Sequence, residues 1–251
     1  MSVRRLLSPL LILALWQVAS VAGVVSPRVL AAPSLIIVTA WQLIVSGALP
    51  YHLLVSLLRM AAGLGIGVFV GTGLALMAGL SQTGEDAVDA PLQMVRALPF
   101  VGLVPLFILW FGIGETPKIA LIALGTMFPI YLNLFAGIRG ADPKLVEAGR
   151  VFGLSRIGLI RQIILPSALP SALVGLRYAM GVALLSLVVA EQINSSAGIG
   201  FLINDARDFL RTDVILVGLL VYALLGLAAD AVVRRLERRV LHGRVRLING
   251  R

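Results

Sequence analysis

The residues that could do chemistry are few and unevenly placed. One stretch, EAGRVFGLSRIGLIRQIILPSALP from Glu147 to Pro170, gathers a carboxylate, the arginines Arg150, Arg156 and Arg161, three glycines and two prolines in an otherwise apolar chain. Elsewhere the ionisable candidates stand singly: Arg96, Arg177, Glu191 and Asp230 fall inside or beside long apolar runs. A charge there is expensive, and it is kept for a pathway, a gate or a pairing partner. Each also has a plainer reading. Arg177 follows Leu165-Pro166 closely enough to snorkel to the nearer surface. Glu191 ends an apolar run and can cap it at the outer interface, and Asp230 sits one helical turn before Arg234 and can pair with it. Arg96 or Arg177 would ease the passage of an anion.

Several chemistries are excluded outright. Both lysines, Lys118 and Lys144, follow proline, so the chain has no G-K-[ST] phosphate loop and cannot bind ATP in that manner. His52 and His242 are too far apart for an H-E-x-x-H site, and with no cysteine there is no disulfide or thiolate metal site. Ser46-Gly47 near His52 lacks the intramembrane base that a serine protease needs. Met60, Met77, Met94, Met127 and Met180 read as packing filler rather than a metal relay. No cofactor or metal is expected in this chain.

The elements that must position these residues follow from composition. The chain is 59% hydrophobic and only 13% charged, with a mean hydropathy of +1.00. Too few charges remain to cover a soluble surface, so the fold class is all-α integral membrane. A spanning helix needs about 20 apolar residues. Six runs meet that requirement: Leu6–Val25, His52–Leu80, Ala90–Phe111, Pro117–Ile138, Ser167–Ala190 and Val214–Val233. The second is overlong and carries GLGIGVFVGTG, whose glycines permit close helix approach. Val29–Ala48 contains Pro33 and is flanked by Pro27 and Pro50, and it reads as an interfacial or partly helical connection.

Basic residues orient the chain. With the N-terminus inside, fourteen fall on the inner side: Arg4 and Arg5, five between Arg139 and Arg161, and seven in the tail 234–251. The outer side holds five: Arg28, Arg59, Lys118, Arg207 and Arg211. That bias places both termini in the cytoplasm, although the inner loop SQTGEDAVDAP is acidic. The first span resembles a signal peptide but is followed by further spans, so it is expected to stay as an anchor. The basic tail fits a stop-transfer flank that attracts anionic lipid, and nucleic-acid binding is not expected beside a membrane exit.

The loop of about 139–166 then lies in the cytoplasm. Asp142 can cap a helix beginning at Pro143, Gly153 suits a left-handed turn, and Ser155 can cap a second short helix that Pro166 stops before the fifth span. The product is two short helices presenting Val151, Phe152 and Leu154 at the bend, ringed by Arg150, Arg156 and Arg161. An exposed apolar corner of this kind suits docking into a groove on a partner. A basic connector that merely satisfies the charge bias is the other reading.

Glu147-Ala148-Gly149, then Gly153, then Ile164-Leu165-Pro166 resembles the EAA loop of permease subunits of binding-protein-dependent ABC importers. Here Gly149 stands where that pattern has alanine. VPLFILWFGIGETPKIALI, LPSALPSALVGLRYAMG and VVAEQINSSAGIGFLINDA resemble the nitrate, sulfonate, taurine and bicarbonate group of these permeases, and the likeness covers roughly 53–237. ALPF at 97–100 and the lack of a tryptophan near the end depart from that group. The resemblance implies a small ABC importer permease (MetI-like) fold, forming one transmembrane domain over 1–251. It implies that Glu147, Ala148, Gly149, Gly153, Leu154, Leu165 and Pro166 couple to an ATPase; Arg96, Arg177 and Glu191 stand as pathway or gate candidates on the cost of their charge. The implied partners are two ABC ATPase subunits carrying ATP and Mg, an extracytoplasmic solute-binding protein, membrane lipid and a second copy of this chain. The expected location is the bacterial inner membrane. A secondary transporter is the alternative, yet it should show an internal repeat of broken helices with acidic residues at mid-membrane, and none is visible. A scaffold without transport would leave the two-helix loop unexplained.

Overall fold

A computed structural model describes residues 3–24, 26 and 29–248. Pro27, Arg28 and Arg251, and the side chains of Arg4, Arg5, His242, Arg244 and Arg246, lie outside the described residues. All regular structure among those described is helical. In chain order the helices are α1 (Val3–Val21), α2 (Pro33–Val45), α3 (Ala48–Leu80), α4 (Gln82–Arg96), α5 (Val104–Phe111), α6 (Glu115–Arg139), α7 (Pro143–Val151), α8 (Arg156–Leu159), α9 (Leu165–Glu191), α10 (Ile199–Asp208) and α11 (Thr212–Ile248). A 3₁₀ turn, Phe100–Leu103, precedes α5, and a π turn, Ile160–Ile164, links α8 to α9.

Helices long and apolar enough to cross a membrane occupy Ala48–Leu80, Glu115–Arg139, Arg156–Glu191 and Thr212–Val240. Leu7–Val21 and Pro33–Val45 are shorter apolar helices. Pro33 opens α2 at its first turn, where a missing N–H is harmless, and 13 residues reach only about 20 Å. Val29–Ala48 is therefore partly helical, as its prolines imply.

The expected third span, Ala90–Phe111, is not one helix. α4 ends at Arg96, and Pro99 steers Leu98 away from helical geometry before the chain resumes as the 3₁₀ turn and α5. The supposed acidic loop 81–91 is instead the front of α4, where Ser81 Oγ accepts from Gly84 N at 3.0 Å. Two of its three acids are paired: Asp89 accepts from Tyr131 Oη at 2.9 Å, and Glu85 pairs with Arg139. Here the apolar stretch competed with proline chemistry, and the proline set the helix boundary.

The described residues fall into two compact units, 1–58 with 191–225 and 59–190 with 226–251. The second is organised by glycine. Gly63, Gly67 and Gly71 recur every four residues on one face of α3, which lies directly on α6. A Cβ at Gly63 would stand 2.5 Å from Ile122 Cβ, and one at Gly71 would stand 2.6 Å from the Met127 carbonyl oxygen. At Gly67 a Cβ would stand 2.6 Å from the carbonyl oxygen of Ala123 and would overlap Thr126 Oγ1. Small residues let two backbones approach this closely where lipid offers no hydrophobic drive between helices. Around Ala75, Ala78, Tyr131, Leu134 and Ala168 the same unit builds a buried apolar cluster.

The first unit is organised by a buried carboxylate. Glu191 is 0% exposed, and Ser56 Oγ contacts its two carboxylate oxygens at 2.7 and 2.8 Å. It also accepts from Gly200 N at 2.9 Å and Tyr222 Oη at 3.0 Å. Ser56 in turn accepts from Ile199 N at 2.9 Å, and His52 Nδ1 accepts from Gly198 N at 3.1 Å. The first N–H groups of α10, which have no partner within that helix, are thereby satisfied from α3 and the end of α9. Ile36, Leu49, Ile199, Leu202 and Val217 pack in this unit's apolar core.

Two outcomes follow from these contacts. Gly67→Ala should destabilise the protein by about 1–3 kcal/mol through overpacking. Gly65→Ala, on an α3 position with nothing within 4 Å, should leave it unchanged; thermal unfolding in detergent compares the two. Glu191→Ala strands the donors of Ser56, Gly200 and Tyr222 at about 1–3 kcal/mol each. Its melting temperature should fall well below that of Glu191→Gln, which keeps an acceptor oxygen.

Candidate coupling site

The segment between α6 and α9 is built from local rules. Asp142 Oδ1 accepts from Lys144 N at 2.9 Å and Pro143 occupies the first turn, so α7 starts with a satisfied cap. It ends at Phe152, and Gly153 turns the chain at φ +78°, a conformation that glycine adopts without strain. Ser155 Oγ accepts from Gly158 N at 3.2 Å and caps α8. Gly149 is the point of closest approach between the arms. A Cβ there would stand 2.6 Å from Ile163 Cδ1 and 2.7 Å from Leu159 Cδ2. The glycine in the pattern's alanine position thus lies where α7 meets the second arm.

One expectation fails here. Pro166 does not stop the second helix; α8, the π turn and α9 run as one helix from Arg156 to Glu191, with Pro166 and Pro170 inside it. In an α-helix Pro166 would clash with the carbonyl of Gln162 and leave it without a donor. The π turn widens the helix just before that point, with Leu165 N donating back five residues to the carbonyl of Ile160. Ser167 Oγ adds a bond to the Ile163 carbonyl at 2.7 Å. Leu165 and Pro166 are therefore the start of the span rather than a terminator.

The corner is presented, not packed. Val151 is 82% and Phe152 86% exposed, and Leu145 and Ile157 are exposed beside them. Glu147 and Ala148 are also exposed, whereas Gly149 is buried and Leu154 half-buried. So the EAA pattern divides by role: Gly149, Gly153 and Leu154 shape the corner, and Glu147, Ala148, Val151 and Phe152 form its outer surface.

The other site candidates are not gathered with it. Arg96 closes α4, exposed and with Gln93 at 3.4 Å, so it is not inside a continuous span. Arg177 pairs with Glu237 at 2.6 Å and approaches Asp230 at 4.0 Å, while Asp230 also pairs with Arg234. Glu191 occupies the buried network of the first unit rather than an interface. Among the described residues, no group of three or more His, Cys, Asp or Glu side chains could hold a metal ion.

Sequence reasoning missed one charged cluster. Arg59 and Lys118, counted among outer residues, are buried in α3 and α6 at 3% and 6% exposure. Both pair with the half-exposed Glu115: Arg59 Nη2 donates at 2.6 Å and Lys118 Nζ at 3.3 Å. Two buried cations thus share one carboxylate. Glu115-x-x-Lys118, an i,i+3 pair at a helix start, was the signal available in the sequence.

Comparison with known proteins agrees with this architecture. Residues 63–242 match the model of the binding-protein-dependent transport system inner membrane component family. A putative aliphatic sulfonates transport permease of Escherichia coli K12 is 49% identical over 230 residues, covering 92% of this chain and 88% of that protein. Its Bacillus subtilis counterpart is 46% identical over 241 residues, covering 96% and 87%. A solved amino acid ABC transporter with histidines has the same fold, with a TM-score of 0.64 at 20% identity, covering 81% of this chain and 96% of that one. The chain belongs to the family of inner membrane components of binding-protein-dependent transport systems.

Proposed function

We propose that this chain forms the pathway by which an ATP-driven importer takes up aliphatic sulfonates, and that the α7–α8 corner is where it is driven. Membership of the family makes it a membrane permease component rather than an enzyme. The observation that carries the coupling role is the exposure of Val151 and Phe152 on a corner whose caps and glycine contacts are all satisfied internally. Isolated in water, such an apolar projection costs free energy; seated in a groove on a partner, it anchors.

In this reading the partner is an ATPase subunit carrying ATP and Mg, one for each of two copies of this chain, and an extracytoplasmic binding protein delivers the solute. The excess of basic residues supports placing both termini and the corner in the cytoplasm. ATP closes the two ATPases, the docked corners are drawn together, and the spans pass from inward-open to outward-open. The uninterrupted helix from Arg156 suits that task, because a displacement at its first turn moves the span itself. The sulfonate assignment rests on the two relatives named for aliphatic sulfonates, each matching more than nine-tenths of this chain.

Phe152→Asp should weaken retention of the co-expressed ATPase by about 2 kcal/mol or more, about thirtyfold, with membrane insertion unchanged. Gly149→Leu should retain the ATPase poorly because the added side chain forces α7 away from Leu159 and Ile163. Unchanged retention in both would remove the corner from the coupling role. Proteoliposomes holding this chain, its ATPase and its binding protein should accumulate a radiolabelled alkanesulfonate only with ATP. Accumulation of nitrate or bicarbonate instead would overturn the substrate assignment and leave the coupling role intact.

A further inference from the structure

Behind the exposed corner lies a second feature that the coupling role does not use. A cavity of about 540 Å³ is lined by the ends of α3 and α6, by Arg150 of α7, and by Arg156, Leu159 and Ile164 of the second arm. That size is within the range of small-molecule sites, about 300–1,000 Å³. Its lining is of two kinds. Ile138, Leu159 and Ile164 supply aliphatic surface, while Arg150 and Arg156 bring two guanidinium groups to the same space. Both arginines are exposed residues, and among the described residues neither has an ion-pair partner.

Position narrows the occupant. α3 ends at Leu80, α6 at Arg139, and α9 begins at Leu165, so the cavity lies at the level of the ends of three long apolar helices. A lipid phosphate sits at that level, with its acyl chains toward the spans and its charge toward water. Arg is well matched to phosphate because its planar fork donates two parallel hydrogen bonds. On the side that the basic residues assign to the cytoplasm, the leaflet carries a negative surface potential from its anionic lipids.

We propose that this cavity binds the headgroup of an anionic phospholipid, with Arg150 and Arg156 on its phosphate and Ile138, Leu159 and Ile164 against the first methylenes. The lipid fills the gap between the arms of the corner and the ends of the spans. A displacement of the corner then reaches the spans without first collapsing an empty space.

The test uses the complex of this chain with its ATPase in nanodiscs of phosphatidylglycerol and phosphatidylcholine. Lipid retained after detergent washing is read by native mass spectrometry without ATP or sulfonate, so its result is separate from that of the importer reading. The wild type should keep one phosphatidylglycerol per permease chain in preference to phosphatidylcholine. R150Q/R156Q should hold it about 25-fold more weakly, at about fivefold for each arginine near the surface. R161Q, which removes a charge from the same segment outside the cavity, should match the wild type. A diazirine-bearing phosphatidylglycerol should crosslink the wild type within residues 138–164, a reading that needs no variant. Equal retention in all three proteins, or crosslinks confined to the tail 234–251, would overturn the proposal. So would displacement of the lipid by micromolar decanesulfonate, which would make the cavity a site for soluble anionic amphiphiles.

Discussion

In hydrocarbon an unpaired backbone N–H or C=O has no water to bond, and each one left unpaired costs several kcal/mol. Nearly everything in this structure can be traced to that constraint. It explains why the regular structure among the described residues is helical, and why the irregular pieces are confined to particular places. The π turn at 160–164 sits where the span meets the corner, and it preserves a continuous helix through Pro166 by shifting hydrogen bonds rather than abandoning them. The first amides of α10 are likewise bonded to His52, Ser56 and Glu191 instead of being left open.

The same cost governs charge. Glu191 is fully buried because three donors converge on it, and Arg59 and Lys118 are buried because Glu115 lies between them. Neither arrangement is a free charge awaiting a substrate. Arg177, with its two acidic neighbours, is similarly compensated. By contrast Arg150 and Arg156 have no ion-pair partner among the described residues, and they line the cavity proposed to hold a lipid phosphate. The buried charges, Glu191, Arg59 and Lys118, are the ones that partners in the chain hold within the fold.

Mechanical continuity follows from helix continuity. Had Pro166 ended the second arm, the corner would be joined to its span by a flexible link, and movement at Phe152 would be absorbed there. With one helix from Arg156 onward, and with Gly149 packing α7 against Leu159 and Ile163, the two arms are packed as a unit with the start of the span. The glycines of α3 do the corresponding work between spans, because helices in backbone contact have little room to slide.

The sequence by itself determined the membrane class, most of the long helices, the two-armed corner and its family. These depend on composition, on runs of about 20 apolar residues and on caps acting within a few positions, such as Asp142, Gly153 and Ser155. Tertiary structure alone decided the rest. The break in Ala90–Phe111 and the passage of α9 through Pro166 turn on how the backbone bonds around each proline, and the burial of Glu191 and the pairing of Arg59 with Glu115 rest on contacts distant in the chain. Glu191 and Ser56 are 135 positions apart, and no pattern local to either one announces the other. A carboxylate at the end of an apolar run reads the same whether it meets water or three buried donors, and only the packed helices choose between them.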